Sequence, residues 1–361
     1  MNYFDEPNIL FFKSNPVVTI GVVVCIIILA DLITNLTYQY YKRINFTDIP
    51  DDRSLHGSPI VTGGGISIAL LNIVGLLYYF PLFAVSAIII SILGFIDDKI
   101  NLSPLIRILF HFSCSYILII CIGGFPELDF GLFEISNVSL LNIIGIIFIS
   151  WFINLYNFMD GSDGFASLES IFISMALFLL ICFNVSLINT DSSGETSFIL
   201  RLLIINIASC IGFLFSNYPN AKIFMGDLGS NFLGLYIIGI SLYIVNSSEI
   251  SIWTILILYG IFFIDSTTTL IRRFLLKQKW YKPHRSHLYQ RFITYKQKNN
   301  SRAKAHKNLL IISLFINCLW LSPLAILSVI YSKFSFICFV VSSMPLVYLS
   351  VFKYNEEFEI H

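Results

Sequence analysis

Apolar residues run along this chain in long blocks that are separated by short polar stretches. Most blocks are close to 20 residues long and carry little charge. A helix of about 20 apolar residues crosses the roughly 30 Å hydrocarbon core of a bilayer. The pattern predicts eleven membrane helices, over residues 17–35, 64–80, 82–96, 104–122, 139–155, 165–184, 198–216, 231–246, 251–271, 308–330 and 334–352. We therefore expect an all-α polytopic membrane protein, a bundle of about 11 transmembrane helices.

Composition agrees with this pattern. Of the 361 residues, 56% are hydrophobic and only 12% are charged, whereas a soluble domain carries about 25% charged residues. These figures exclude a water-soluble enzyme, a disordered regulator and a nucleic-acid-binding protein, and they make the lipid bilayer the expected partner. No internal repeat or linker divides the chain, so we expect a single integral membrane domain over residues 1–361.

The basic residues predict an orientation. With the N-terminus outside, 19 of the 22 lysines and arginines lie inside or at inner helix ends. Only Lys13, Arg201 and Lys333 then lie on the far side. Because cytoplasmic loops of membrane proteins are enriched in basic residues, we expect this orientation, with segment 272–307 as a basic cytoplasmic loop.

Acidic residues are also unevenly distributed. The inner-face loops carry eight aspartates and no glutamate, whereas the outer loops mix the two types. The inner aspartates are Asp48, Asp51, Asp52, Asp97, Asp98, Asp160, Asp163 and Asp227. Short carboxylates gathered on one face suit a hard cation such as Mg²⁺.

Two inner-face motifs carry half of these aspartates. The third predicted helix ends in LGFIDDK, with Asp97 and Asp98 adjacent at the membrane surface. The fifth runs into NLYNFMDGSDG, in which polar side chains recur every three residues and would lie near one another on a helical turn. Those residues are Asn154, Asn157, Asp160 and Asp163. The first motif alone would also suit a helix end entering water, and the second alone would suit a polar loop.

Two further inner loops carry candidate phosphate ligands. In SNYPNAKIFMGDLGS, Asp227 precedes an apolar helix whose N-terminus could hold phosphate, and Asn217 could contact a base edge. The first loop, DIPDDRSLHGSPIVTGGGIS, brings Arg53 and His56 close to three consecutive glycines. A solvated loop is the alternative interpretation.

The basic segment 272–307 has twelve lysines and arginines and no acidic residue. Attraction to anionic lipid explains part of this charge, but His284, Arg285 and His287 are clustered and offer donors to phosphate oxygens. Asp265, inside the ninth predicted helix, should face a partner such as Arg272, Arg273 or another inner-face cation. We assign no role to Asp31.

Aspartate, asparagine, histidine and arginine on one membrane face suit phosphoryl transfer, which depends on a metal, cations and a positioned nucleophile. A transporter is the alternative from another class, with Asp31 and Asp265 marking its pathway. Transport would predict ionisable residues near the bilayer centre of several helices and internal symmetry. Here the acids gather at inner helix ends, which favours the enzyme.

These motifs, in this order, resemble the polyprenyl-phosphate N-acetylhexosamine-1-phosphate transferases. The resemblance covers roughly residues 31–295, through DIPDDRSLHGSP, LGFIDDK, NLYNFMDGSDG, SNYPNAKIFMGDLGS and PHRSHLYQR. It implies transfer of a sugar-1-phosphate from a UDP-N-acetylhexosamine to undecaprenyl phosphate, with release of UMP and initiation of a cell-surface glycan. It also implies a bacterial inner-membrane location, an active site facing the cytoplasm, Mg²⁺ or Mn²⁺ as cofactor, and a homodimer as one oligomeric state.

The resemblance also assigns roles by motif. The implied catalytic residues are Asp97, Asp98, Asp160, Asp163, His284 and His287. The implied metal ligands are Asp227 and Asp98. The implied substrate-binding residues are Arg53, His56, Asn154, Asn157, Asn217 and Arg285.

The histidine motif departs from most relatives. This chain has HRSH, whereas the peptidoglycan enzymes have consecutive histidines and the GlcNAc-type enzymes have HxHH. The form looks like that of O-antigen and capsule initiators, which implies a deoxyhexosamine such as FucNAc or QuiNAc. Transfer of phospho-MurNAc-pentapeptide in peptidoglycan synthesis is the nearest alternative.

Overall fold

Helices make up almost all of the computed structural model, which describes residues 16–50, 54–183, 195–279 and 284–353. The helices within these ranges are α1 (Pro16–Arg43), α2 (Ile66–Tyr79), α3 (Pro81–Ile100), α4 (Pro104–Cys121), α5 (Val138–Met159), α6 (Phe165–Phe183), α7 (Glu195–Asn217), α8 (Gly226–Ser247), α9 (Ile252–Leu258), α10 (Gly260–Leu275), α11 (Leu288–Gln297), α12 (Arg302–Ile316), α13 (Ser322–Ile330) and α14 (Ser335–Phe352). A π-helical turn, Asn317–Leu321, joins α12 to α13, and a 3₁₀ turn, Ser332–Phe334, precedes α14.

The expectation of an all-α membrane bundle is confirmed. Nine helical segments in the described part of the chain are long and apolar enough to cross a bilayer. A tenth is formed if α9 and α10, which meet at an angle of 86°, act as one bent span. The remaining predicted span corresponds to α2, which has only 14 residues and is short for a bilayer crossing.

The shortness of α2 has a local cause. The predicted span began at residue 64, but Gly64 and Gly65 donate backbone hydrogen bonds to Phe224 and Met225, at 2.8 and 2.9 Å. These two glycines are therefore part of a backbone pairing with the segment before α8. The preceding residue, Gly63, has a φ of +89°, a conformation that favours glycine.

Helix α8 lies at the centre of the bundle. Its most apolar stretch is 94% buried, against 17% for α1, and it packs on α3 and α5. Glycines permit the close contacts, because a Cβ at Gly229 would lie 2.7 Å from the Cα of Gly65, and one at Gly234 would lie 2.8 Å from the Cα of Ile153. The residues that open α8 are therefore fixed on several sides.

The bend between α9 and α10 was not predicted, since the apolar pattern runs without interruption through residues 251–271. Tyr259 lies at the bend and is buried. Its hydroxyl lies 3.2 Å from the Ser241 hydroxyl of α8. Helix α10 contacts α11, which lies within the basic segment.

Short strands order the loops. Strands β1 (Thr47–Asp48) and β2 (Ile60–Val61) pair antiparallel, and Val61 forms a parallel bridge to Ile223. Strands β3 (Leu128–Asp129) and β4 (Glu134–Ile135) form a second antiparallel pair. The first pair joins the first inner loop to the residues that precede α8.

The basic segment 272–307 contains a helix as well as loop. Helix α11 occupies residues 288–297 and packs on α10 and α12. Its Arg291 side chain is buried and donates hydrogen bonds to the carbonyls of Ser350 and Lys353, at the end of α14. The guanidinium therefore satisfies carbonyls that the end of a helix leaves without partners.

Candidate active site

Asp98 and Asp227 meet where α3 ends and α8 begins. The backbone N–H of Asp227 donates to Oδ1 of Asp98 at 2.9 Å, and the N–H of Leu228 donates to Oδ2 at 3.4 Å. Asp98 therefore caps α8 and satisfies donors that the helix itself leaves free. We expected these N–H groups to face a phosphate, and in the structure they face this carboxylate.

Two glycines make this junction possible. A Cβ at Gly226 would lie 2.6 Å from Oδ2 of Asp98, and Gly226 itself has a φ of +76°. A Cβ at Gly94 would lie 2.4 Å from the carbonyl oxygen of Asp227. Helices α3 and α8 therefore touch through their backbones beside the two carboxylates.

Asn157 brings α5 to the same place. Its Nδ2 donates to Oδ1 of Asp227 at 2.7 Å and to the Ser230 hydroxyl at 3.2 Å. The Ser230 hydroxyl donates in turn to the carbonyl of Gly226. Ser230 is not among the residues predicted for the site, although it lies in the same GDLGS motif as Asp227.

Asp97 lies next to this pair and has a cationic neighbour. Its Oδ1 accepts the backbone N–H of Leu102 at 2.7 Å, and its Oδ2 lies 3.3 Å from Nη1 of Arg107. The Asp97 carboxylate also interacts electrostatically with Asp227. Arg107 lies in the first turn of α4, and a basic side chain three residues after a helix-opening proline gave no functional signal in the sequence.

Asp160 completes a group of four carboxylates. Burial raises its pKa well above the ordinary value, and the charges of Asp227, Asp98 and Asp163 raise it further. Like charges in a poorly solvated place disfavour ionisation in this way. Asp97, Asp98, Asp160 and Asp227 together are called the carboxylate cluster below.

The carboxylate cluster has the donor chemistry of a magnesium site. Within the described residues, no three acidic, histidine or cysteine side chains surround one point as a complete metal cage. Mg²⁺ rarely needs one, because it keeps several waters and binds one or two carboxylates together with substrate phosphates. Asp227 and Asp98, which come from different helices and lie side by side, fit this requirement.

Asp163 and Asn217 lie beside the cluster and hold backbone segments together. Asp163 pairs with the Arg302 guanidinium, and its Oδ2 accepts the N–H of Ala221 at 3.0 Å. The amide of Asn217 accepts the N–H of Gly164 and donates to the carbonyl of Ile223, each at 2.9 Å. The structure thus places both side chains in contact with the loop between α7 and α8.

The hydrogen bonds of the Asn154 side chain are to groups outside the cluster. Its Nδ2 lies 3.0 Å from Nδ1 of His111 on α4 and donates to the Ser150 carbonyl at 2.7 Å. The regular spacing from Asn154 to Asp163 therefore does not gather four side chains. Successive steps of three residues rotate around a helix, and α5 ends at Met159.

The first inner loop is partly described. Arg53 lies outside the described residues, as do Asp51 and Asp52. The ring of His56 packs edge-on against Phe224, with 5.1 Å between ring centroids, and its Nε2 lies 3.7 Å from Oδ2 of Asp48.

Residues 284–287 are called the histidine loop below. The rings of His284 and His287 stack with their centroids 5.0 Å apart. Burial lowers the pKa of His284 to about 3, helped by the nearby His287 and Arg273, so this imidazole is neutral at neutral pH. Arg285 donates to the carbonyl of Ser54 and joins the histidine loop to the first inner loop.

Asp265 reaches the end of the histidine loop. Its carboxylate accepts the backbone N–H groups of Leu288 and Tyr289, at 2.8 and 3.1 Å. Its Oδ1 also lies 3.6 Å from Nδ1 of His287. We expected Arg272, Arg273 or another inner-face cation as its partner, and the contacts that the structure shows are with a helix N-terminus, the Thr269 hydroxyl and the His287 imidazole.

Tyr289 connects the histidine loop to the carboxylate cluster. Its hydroxyl donates to the carbonyl of Phe158 at 2.9 Å, two residues before Asp160. A Cβ at Gly161 would lie 2.2 Å from this hydroxyl, so the glycine leaves room for the contact. The same end of the bundle therefore carries the carboxylate cluster and, next to it, two imidazoles and the Arg285 guanidinium.

Several known proteins are similar in sequence to this chain. The family model described as "Glycosyl transferase family 4" matches residues 80–245, which include all of the carboxylate cluster. A probable undecaprenyl-phosphate N-acetylglucosaminyl 1-phosphate transferase of Bacillus subtilis is 31% identical over 281 residues, 73% of this chain and 74% of the relative. An undecaprenyl-phosphate alpha-N-acetylglucosaminyl 1-phosphate transferase of Thermotoga maritima is 26% identical over 276 residues, 73% of this chain and 79% of the relative.

A relative named for a different donor is similar over a shorter stretch. The phospho-N-acetylmuramoyl-pentapeptide-transferase of Dictyoglomus turgidum is 31% identical over 234 residues, 62% of this chain and 70% of the relative. The resemblance seen in the inner-face motifs thus extends over most of the chain. The chain belongs to glycosyl transferase family 4.

Proposed function

We propose that this protein transfers an N-acetylhexosamine-1-phosphate from a UDP-sugar to undecaprenyl phosphate, which yields undecaprenyl-diphosphate-sugar and UMP. The observation that carries the proposal is the convergence of Asp97, Asp98, Asp160 and Asp227 at one end of the bundle. The names of the Bacillus subtilis and Thermotoga maritima relatives support the same reaction.

The reaction we propose is a direct displacement at phosphorus. An oxygen of the lipid phosphate attacks the β-phosphorus of the UDP-sugar, a new P–O bond forms, and the bond to UMP breaks. A phosphate monoester has a second pKa near 6, so the lipid phosphate is largely a dianion at pH 7. The protein therefore needs to align the two phosphates more than it needs to remove a proton.

In this proposal, different residues of the chain contribute to aligning the two phosphates. Asp227 and Asp98 would hold Mg²⁺, which supplies compensation for the charge of the diphosphate when it is bound. Asn157 fixes the Asp227 carboxylate through its 2.7 Å hydrogen bond. The histidine loop offers Arg285 and His287 as donors to phosphate oxygens. Asp97, held by Arg107, lies at the helix end nearest the membrane surface, where we place the lipid phosphate.

We place the active site on the cytoplasmic face of the bacterial inner membrane. The donor is a water-soluble nucleotide sugar, and 19 of the 22 basic residues lie on this side in the expected orientation. For the sugar, the names of two relatives favour N-acetylglucosamine, whereas the HRSH sequence favours a deoxyhexosamine such as FucNAc or QuiNAc. All three donors lack the pentapeptide of the alternative substrate.

A donor panel tests the proposal. Purified protein in lipid nanodiscs receives Mg²⁺, radiolabelled undecaprenyl phosphate and one donor at a time. The donors are UDP-GlcNAc, UDP-FucNAc, UDP-QuiNAc and UDP-MurNAc-pentapeptide. We expect lipid-linked product and an equal amount of UMP from at least one of the first three. Product from the pentapeptide donor alone would establish the alternative substrate, and absence of product from every donor would contradict the proposal.

Acid quenching during turnover tests the direct displacement. A direct reaction leaves no phosphorylated protein when a β-³²P-labelled donor is used. Trapping of label on Asp97 or Asp98 would show that the reaction passes through an aspartyl phosphate instead.

A further inference from the structure

Glu169 is a buried acid inside α6, in a candidate membrane span, and the proposed reaction gives it no task. Only 1% of it is exposed. Its Oε2 accepts a hydrogen bond from Nδ2 of Asn317 at 2.7 Å. No lysine, arginine or histidine in the described part of the chain compensates its charge. Because a charge at membrane depth is costly without such a partner, the protonation state of this carboxyl group needs an explanation.

Asn317 opens the π-helical turn between α12 and α13, and its side chain is also 1% exposed. Its backbone carbonyl accepts the Ser322 hydroxyl at 2.8 Å. Pro323, which has no backbone N–H, follows as the second residue of α13. Proline and π turns are usual places for a helix to deviate from regular geometry. Asn317 therefore lies where an irregular piece of backbone begins inside a membrane span.

The contact between the two side chains leaves two acceptors without donors. Oε1 of Glu169 and Oδ1 of Asn317 are buried, and neither has a hydrogen-bond partner among the residues described. An ionised carboxylate can only accept, whereas a protonated one has an O–H to donate. Exchanging the amide nitrogen and oxygen does not change this result, because an amide oxygen that faced the acid would also need a proton from it. One proton on Glu169 therefore supplies the missing donor.

The pair lies near the bend between α9 and α10. Tyr259 at the bend and Tyr156 of α5 both interact electrostatically with Glu169, and neither is a cation. A Cβ at Gly260, the first residue of α10, would lie 3.0 Å from Cδ1 of Leu321, the last residue of the π turn. The π turn and the bend therefore contact each other, and the hydrogen bond to Glu169 joins the π turn to α6.

We propose that Glu169 is a proton-binding site: a neutral carboxylic acid whose O–H donates to the amide oxygen of Asn317, while the amide N–H donates back. Such a pair satisfies its buried polar atoms without any net charge, which suits a bundle surrounded by lipid. It joins α6 to the π turn and supports the bend from which α10 continues to the histidine loop. This role is separate from the proposed transfer reaction and does not depend on it.

Infrared spectroscopy of the full chain, in a detergent without carbonyl groups, can observe the proton directly. A carboxylic acid has a C=O stretching band that an ionised carboxylate lacks. We expect the spectrum of the wild type minus that of Glu169→Gln, at pH 7, to contain this band. Glu249→Gln, which changes an exposed glutamate between α8 and α9, is the matched control and should give ionised-carboxylate bands. If Glu169→Gln also gives only those bands, Glu169 holds no proton and the proposal is wrong.

Thermal unfolding of three variants tests the pairing. Glutamine keeps the size of the side chain and supplies an N–H in place of the O–H, so Glu169→Gln should melt within about 2 °C of the wild type. Asn317→Leu leaves the acid without a partner and should melt at least about 3 °C lower. Adding Glu169→Met should recover most of this loss, because replacing both partners by apolar groups of similar shape is nearly neutral. Additive losses in the double variant would overturn the proposed pair.

Discussion

Two aspartates of one motif, three residues apart in MDGSD, have opposite surroundings. The side chains whose charges raise the pKa of Asp160 are other carboxylates, those of Asp227, Asp98 and Asp163. The Asp163 carboxylate instead pairs with the guanidinium of Arg302 and accepts the N–H of Ala221. The carboxylate cluster thus concentrates negative charge, whereas the surroundings of Asp163 compensate it.

This difference distinguishes carboxylates that are suited to bind a cation from a carboxylate that stabilises the fold. Crowded carboxylates cost stability unless a cation joins them, and such a cost is usual where a protein binds charged ligands. A carboxylate that is buried, paired and hydrogen-bonded instead holds segments together. We therefore expect substitutions in the carboxylate cluster to abolish activity without destabilising the fold. A substitution of Asp163 should destabilise the fold and have a smaller effect on activity.

The largest effect should come from Asp227→Asn. The amide keeps an oxygen for the hydrogen bond from Asn157 but removes the charge that would hold the metal. We expect kcat to fall by at least about 10²-fold, without recovery in excess Mg²⁺, while the melting temperature stays the same or rises. Turnover of undecaprenyl phosphate and thermal unfolding in detergent provide the two measurements.

Asn154→Ala is a suitable control for this variant, because Asn154 lies on the adjacent helix and contacts His111 instead of the cluster. It should retain most of the turnover. Ordinary turnover by Asp227→Asn would remove Asp227 from the active site.

Asp163→Asn should have the next largest effect, on stability. It leaves the Arg302 guanidinium without its carboxylate in a mostly buried place and weakens the contact to the loop at Ala221. We expect a loss of about 2–4 kcal/mol in the free energy of unfolding, seen as a lower melting temperature. If the melting temperature were unchanged and only kcat fell, the contrast between Asp160 and Asp163 would not hold.

Asp160→Asn should have the smallest effect on unfolding, and one that depends on pH. The pKa of Asp160 is raised in the folded protein, so the folded state binds more protons than the unfolded state above the ordinary pKa of 3.8. Stability of the wild type must then fall as pH increases through the raised pKa. The variant lacks this loss. Its stability relative to the wild type at the same pH should therefore be greater at pH 8 than at pH 5.

Melting temperatures in EDTA, measured from pH 4 to pH 8, provide the test for Asp160. A difference between variant and wild type that stays constant across this range would show that Asp160 is not crowded by its neighbours. Asp163→Asn, measured in parallel, serves as the comparison.

The sequence determines most of the fold by length and hydropathy alone. A lipid solvent requires continuous apolar helices, so the apolar blocks mark the membrane spans within a few residues. The ends and bends of helices are less accurately predicted where tertiary contacts determine them. The helix over 82–96 extends in the structure from Pro81 to Ile100, because the polar end of LGFIDDK continues α3 to meet α8. At the bend, Tyr259 contacts Ser241 of α8, and no local sequence pattern contains such a contact.

The candidate site was predictable by residue type but not by partner. Placing Asp97, Asp98, Asp160 and Asp227 on one face required only the topology. The sequence could not show that the Asn217 amide hydrogen-bonds two backbone groups, the N–H of Gly164 and the carbonyl of Ile223. The first is distant in the sequence, and the contact with the second depends on the conformation of the loop between α7 and α8. Nor could it show that Asp265 would lie near His287, because this contact joins α10 to the residue before α11 and depends on how these two helices pack.

The backbone contact at Gly94 also bears on how such proteins can change during evolution. Where two backbones meet with only hydrogen atoms between them, no exchange of side chains can widen or narrow the gap in small steps. The spacing between Asp98 and Asp227 is therefore not adjustable by gradual changes of side-chain size. Adaptation to a new sugar must therefore fall on parts that can still vary, such as the histidine loop, whose reach toward the donor can change without moving the two carboxylates.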